Sequence, residues 1–343
     1  MLEPTIATNE SERAASELDS PGGRGAGQGL RNRPVLLATD FGAASDAAAR
    51  VAAALVAARG AVPHAVHVYD TTTFAVPALV LPAIAAADEL LGESAHESER
   101  RDVRERLASA LGEAASAAVG ESPRRSVDWP VRIAAGVPSG VIAAEARRID
   151  AALVVMGLRR HARADRVLGD ETTLGVMRDG AAPVLGVVTS LGHLPRRAVV
   201  GVDFGRGGAR AARAALDVVD GAGTIVLAYA SYSYPPTGRA EEEGERLVRD
   251  LGVAAACERA VAELGAPPGV SVEARVIEIG AGTTPADALL GLADEVGADL
   301  LAAGAHRAGR LERLFLGSVT ADLVRDGRVS VLVVPPEPLE GRG

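Results

Sequence analysis

Late in the chain a short apolar run, LLAAGA (300–305), leads into Gly304-Ala305-His306-Arg307, and nine residues later comes Gly317-Ser318-Val319. Glycines at both ends of such a loop let backbone come close to an anion. A Gly-Ser pair opening a helix offers unpaired N–H groups and the positive end of the helix dipole. Ser318 adds a hydroxyl that either caps the helix or donates to a phosphate oxygen. Arg307 supplies a planar fork of donors, or stays solvated on the loop. The chemistry this spacing suits is the cradling of a phosphate.

Other chemistries are harder to place. The chain has no lysine, so all 36 basic residues are arginine. That removes a P-loop lysine, a Schiff-base lysine and a lysine general base. The six histidines are scattered, Cys257 is the single cysteine, and no CxxC or HExxH spacing occurs, which argues against a bound metal. His306 reads as a loop residue rather than a catalyst. FGRGGAR (204–210) allows close approach of a ligand but does not make GxGxxG, so a dinucleotide-dependent dehydrogenase is not expected. No catalytic residue and no enzymatic role are assigned. The net charge of −9 speaks against nucleic acid as a partner. One cysteine fits a reducing, cytoplasmic setting. The uncharged, apolar run 74–87 is too short to span a membrane and contains Pro77 and Pro82.

The elements that must position these residues recur twice. After a polar, glycine-rich leader (1–32), PVLLATDF (34–41) and AVVGVDF (198–204) each give an apolar strand ending in an aspartate, Asp40 or Asp203. Helices follow at 43–59 and 208–219, then strands at 65–70 and 224–230. Longer helices are expected at 97–118 and 240–264, strands at 127–134 and 270–279, and helices at 138–148 and 285–296. Strands at 152–157 and 300–305, a glycine-bearing loop, a helix and a last strand (183–188; 329–334) complete each set. Pro138 and Pro285, Gly157 and Gly304, Arg160 and Arg307, and the runs Arg178-Asp179-Gly180 and Arg325-Asp326-Gly327 all lie 147 positions apart. Apolar strands alternating with helices predict an α/β protein of two tandem doubly wound, Rossmann-like domains. Each is a five-stranded parallel sheet with helices on both faces. The expected limits are 33–190 and 195–337, with a short tail at 338–343.

The second half, GAHRAGRLERLFLGS (304–318) followed by VTADLVRDGRVSVLVVP, closely resembles the universal stress protein family. That family's nucleotide-binding members carry G-x-x-G, nine residues, then G-[S/T] after the fourth strand. The strand ending in aspartate, the turn Gly136-Val137-Pro138 and the closing VLVV strand also resemble it, and the likeness covers about 33–336 as two copies. The resemblance implies a regulatory protein of the stress response that binds ATP or a related adenine nucleotide, with or without Mg. Gly304, Gly317, Ser318 and Val319 would hold phosphates, and Asp203 would face the ribose. It also implies that the last strands of the halves pair within the chain as a pseudo-dimer, and it leaves a further homo-oligomer open. Two rival readings are a stress or interaction scaffold without nucleotide, and a slow ATPase or nucleotide-cleaving enzyme.

Both copies depart from that pattern. Arginine (Arg160, Arg307) replaces the second glycine of the motif in each. At the 147 offset Gly317-Ser318 corresponds to Asp170-Glu171, so two carboxylates stand where phosphates would sit. A carboxylate about 4 Å from a phosphate charge costs roughly 4 kcal/mol at an effective dielectric near 20. At that cost per charge pair, two carboxylates facing the several charges of a polyphosphate exceed the roughly 8 kcal/mol of a micromolar complex. ATP is therefore expected in the second domain only.

Overall fold

A computed structural model describes residues 29–70, 101, 105–106, 109, 129–158, 171–232, 240–280, 282–305 and 317–336. The first half runs β1 (Pro34–Thr39), α1 (Ala43–Arg59), β2 (Val62–Asp70), β3 (Val131–Gly136), α2 (Pro138–Arg148), β4 (Leu153–Leu158), α3 (Glu171–Asp179) and β5 (Val184–Val188). The second runs β6 (Arg197–Val202), α4 (Arg206–Val218), β7 (Thr224–Tyr232), α5 (Ala240–Leu264), β8 (Ser271–Ile279), α6 (Pro285–Val296), β9 (Leu300–Gly304), α7 (Ser318–Asp326) and β10 (Ser330–Val334). The helix expected at 97–118 lies almost wholly outside the described residues.

Ten strands form one sheet in the order β3-β2-β1-β4-β5-β10-β9-β6-β7-β8. Within each half every pairing is parallel, and only β5 and β10 meet antiparallel. The near-continuous apolar strands are what helix cover on both faces demands. Val35, Leu36 and Leu37 of β1 and Leu300 and Leu301 of β9 are fully buried. The helices that meet the sheet present small faces to it, such as Ala47, Ala48, Val51 and Ala52 in α1 and Ala211, Ala212 and Ala215 in α4.

Leu185 lies opposite Leu332 at the centre of the β5–β10 pairing, and these two residues are themselves 147 positions apart. Equivalent residues facing each other define an isologous contact, built here inside one chain. Val188 N–H extends that ladder by donating to Ser330 Oγ at 3.2 Å. Away from the sheet, Arg59 at the end of α1 donates to the backbone carbonyls of Leu216, Asp217 and Val219 at the end of α4. A cation at a helix C-terminus answers the carbonyls that the helix itself leaves unpaired.

Most strand limits fall within two residues of expectation, and the two starts that differ by more both lie beside a proline. β2 starts at Val62 rather than 65 and includes Pro63. Val62 N–H donates to Arg33 O, toward β1, while Ala65 N–H donates to Pro130 O, toward β3. The N–H that Pro63 lacks would point to the side where β3 has not yet begun, so the ladder loses nothing. β3 begins at Val131, after Trp129-Pro130, rather than at 127.

Candidate functional site

In an open parallel sheet, ligands bind beyond the carboxyl ends of the strands where the strand order reverses. In the second half that point lies between β6 and β9, which neighbour each other in register Ala198↔Leu300 to Val200↔Ala302. Asp203 and Gly205 follow β6, Gly304 ends β9, and Gly317, Ser318 and Val319 open α7. The fold thus gathers these sequence-predicted residues at the ends of two adjacent strands and the helix that follows. Arg307 lies outside the described residues, as do His306, Arg160 and Asp170.

The two motif glycines are glycine for different reasons. A Cβ at Gly304 would fall 2.5 Å from Gly207 O and 2.6 Å from Gly207 C, because the first turn of α4 packs directly on the end of β9. Gly157 repeats this against Ala44 and Ser45 at 2.7 Å. Both glycines are therefore required by the packing of sheet and helix, whatever else they touch. Gly317 is the opposite case: among the described residues nothing lies within 4 Å of where its Cβ would be. It stands at the N-cap of α7 with no side-chain cap, Ser318 is exposed, and Ala321 N–H takes Gly317 O at 3.0 Å. The N–H groups of residues 318–320 have no intrahelical acceptor by the geometry of any helix start.

Asp203 Oδ1 accepts from Gly205 N–H at 2.9 Å, closing a tight turn that puts Phe204 in the left-handed region at φ 58°. Asp40 does the same with Gly42 N–H at 2.9 Å, and Phe41 has φ 61°. A bulky residue at positive φ is uncommon and needs support. Each ring finds a partner on the neighbouring strand. Phe204 stacks on Tyr229 of β7, with centroids 4.8 Å apart and planes at 24°, and stays 38% exposed. Phe41 meets His67 of β2 at 4.6 Å, and the Arg106 guanidinium lies over its ring at 4.7 Å. His67, whose Nδ1 is 2.8 Å from Thr39 O, also meets Tyr69 edge-on at 4.9 Å.

The surroundings of the two aspartates diverge at one position. In the first half the buried Ser45 hydroxyl donates to Asp40 Oδ1 at 2.5 Å. In the second half the equivalent position is Gly208, which brings no hydroxyl. A Cβ there would sit 3.1 Å from Val202 Cα and 3.3 Å from Asp203 Oδ1. The paired rings and the Ser45/Gly208 exchange are features that sequence reading missed. The signal was present in the repeated Thr-Asp-Phe and Val-Asp-Phe endings of β1 and β6.

Among the described residues, no group of three or more His, Cys, Asp or Glu is placed to hold a metal ion. No helix among the described residues is long and apolar enough to cross a membrane.

A five-stranded parallel unit of order 3-2-1-4-5 with helices on both faces, present twice, defines a tandem Rossmann-like α/β protein. The family follows from sequence comparison. The profile of the universal stress protein family matches residues 31–187 and again 195–335, and the chain belongs to that family. Among solved structures, a universal stress protein from Archaeoglobus fulgidus is similar, at 20% identity over 89% of this chain and 98% of that one, with a TM-score of 0.51. A protein of Pseudomonas aeruginosa PAO1 described as functionally unknown matches at 15% identity over 89% and 92%, with a TM-score of 0.52. A universal stress protein in complex with cAMP matches at 30% identity over 41% of this chain and 97% of that one, with a TM-score of 0.31. No curated protein matches.

Proposed function

We propose that this member of the family is a regulatory protein whose second half binds ATP or a closely related adenine nucleotide, with or without Mg. The observation that carries the reading is the start of α7, where an uncapped helix N-terminus meets open space at Gly317 beside the strand-order reversal. The N–H groups of Ser318, Val319 and Thr320 and the Ser318 hydroxyl would take phosphate oxygens, with the helix dipole favouring the charge. Arg307, between the two motif glycines in sequence, would supply a cation. Asp203 would face the ribose, and Gly205 and Gly208 add no side chain of their own beside it. The two domains would be 33–190 and 195–337, the second of them the binding unit, joined through β5 and β10 as an intrachain pseudo-dimer.

The first half is proposed as a framework without nucleotide. Ser45 donates to Asp40, Arg106 covers Phe41, and Asp170 and Glu171 occupy the motif positions of Gly317 and Ser318. The role proposed is binding alone, with no bond broken.

The test is equilibrium binding of ATP to the full chain and to Gly317→Asp, with cAMP included as a competitor. A carboxylate at the mouth of the helix is expected to weaken ATP binding by roughly a hundredfold or more. Equal affinity in both proteins would sink the assignment.

A further inference from the structure

Among the described residues the sheet ends on β8, nine residues long, with no strand beyond it. Long exposed edges are templates for pairing, and charged side chains usually serve to prevent it. On β8 the charges are arranged differently. Residues 272–276 read Val-Glu-Ala-Arg-Val, which laid against its own reverse puts valine on valine and glutamate on arginine.

The backbone agrees with this register. Ser271 N–H donates to Gly223 O, toward β7, so in a parallel ladder residues 271, 273, 275, 277 and 279 all direct their N–H and C=O inward. The N–H and C=O groups of Val272, Ala274, Val276 and Glu278 therefore point out from the edge. An antiparallel pair centred on Ala274 would match Ala274 with itself and Val272 with Val276 as hydrogen-bonded pairs. Glu273 and Arg275 would then face each other at the non-hydrogen-bonded positions, where side chains of paired strands come closest. Both are about half exposed in the single chain, at 50% and 43%, and Arg275 reaches Glu273 at 3.6 Å and Glu295 at 3.1 Å. On the opposite face Val272, Ala274 and Val276 line a groove against α5 with Ala254, Cys257 and Val261, and Val276 is 49% exposed there. The other end of the sheet lacks this property, since β3 reads VRIAAG and its one charge, Arg132, is paired with the buried Glu145.

We infer that two copies of the chain associate through β8, antiparallel and two-fold about Ala274, joining their sheets edge to edge. The pairing is isologous, so it closes as a dimer rather than growing into a fibre.

Sedimentation velocity of the full chain over the micromolar range tests this with charge variants. Wild type is expected to be a dimer. Glu273→Arg and Arg275→Glu each place like charges opposite one another twice, and each should raise the dimer dissociation constant by roughly tenfold or more. The double exchange Glu273→Arg, Arg275→Glu restores complementarity and should restore the dimer. Mixing the two single variants should give a heterodimer, which also shows that both are folded. A wild type that stays monomeric throughout the range, a dimer indifferent to both single variants, or single variants that fail to pair when mixed would each overturn the proposal.

Discussion

The two halves answer the same packing problem with different residues, and the contrast is sharpest at α2 and α6. At one equivalent position, 147 residues apart, the second half buries Leu292, whereas the first buries Glu145 at 2% exposure. Glu145 is held by Arg132 at 2.6 Å and by two donors of Arg148 at 2.8 and 2.6 Å. Both arginines remain about half exposed, so their own desolvation is slight. The same divergence runs through the crevices: Ser45 against Gly208, and Arg106 over Phe41 against an exposed Phe204 on Tyr229. A duplicated fold tolerates ionic and apolar solutions at one position, provided that buried charge is fully paired. What it does not tolerate is a side chain where helix and strand touch.

The largest expected effects follow from that last point. Gly304→Ala drives a Cβ into the Gly207 backbone and should destabilise the second half by about 3 kcal/mol, at the upper end of overpacking costs. Gly317→Ala, in open space at an ordinary negative φ, should stay within about 0.5 kcal/mol of wild type. Urea unfolding of the three proteins checks the pair; equal losses would mean that the two glycines do not differ as described.

The ionic position comes next. Glu145→Ala leaves two half-exposed arginines to solvent and a space under α2, and should cost about 2 kcal/mol, whereas Glu145→Leu, which copies the second half, should recover most of that loss. The pH dependence has a definite sign. Burial alone would push the Glu145 carboxyl up, but hydrogen bonds and charge from Arg148 and Arg132 outweigh it and hold the group below its ordinary value of 4.5. A carboxyl depressed in the folded state contributes stability that is present above pH 4.5 and is lost as pH falls through the lower folded value. Thermal unfolding from pH 6 down to about pH 3 should therefore destabilise wild type more steeply than Glu145→Leu. Parallel pH profiles would contradict the role given to the ion pairs.

Much of this architecture was legible in the residues. Apolar runs of strand length alternating with helical stretches gave the strand order its raw material, and α1, α2 and α6 occupy the spans that the pattern predicted. The constant offset aligned the halves well enough that Leu185 and Leu332, equivalent in sequence, meet in space. The limits of β2 and β3 were less legible, because a proline's cost depends on which neighbour its missing N–H would face. The site was legible as a set of positions but not as a division of labour. Nothing in Gly304 or Gly317 as letters says that one is packed against backbone and the other opens onto space. Phe204 was missed because phenylalanine seldom occupies a positive φ, and its support comes from Tyr229, 25 positions away on another strand.

On the proposed reading, one duplicated fold keeps a nucleotide crevice in its second half and has closed the equivalent one in its first. A crystal structure of the full chain grown with ATP tests this. Nucleotide is expected at the start of α7, with phosphates on the backbone of Ser318 and Val319 and the ribose beside Asp203, and none beside Asp40. Nucleotide density in the first-half crevice, or none in the second, would contradict it.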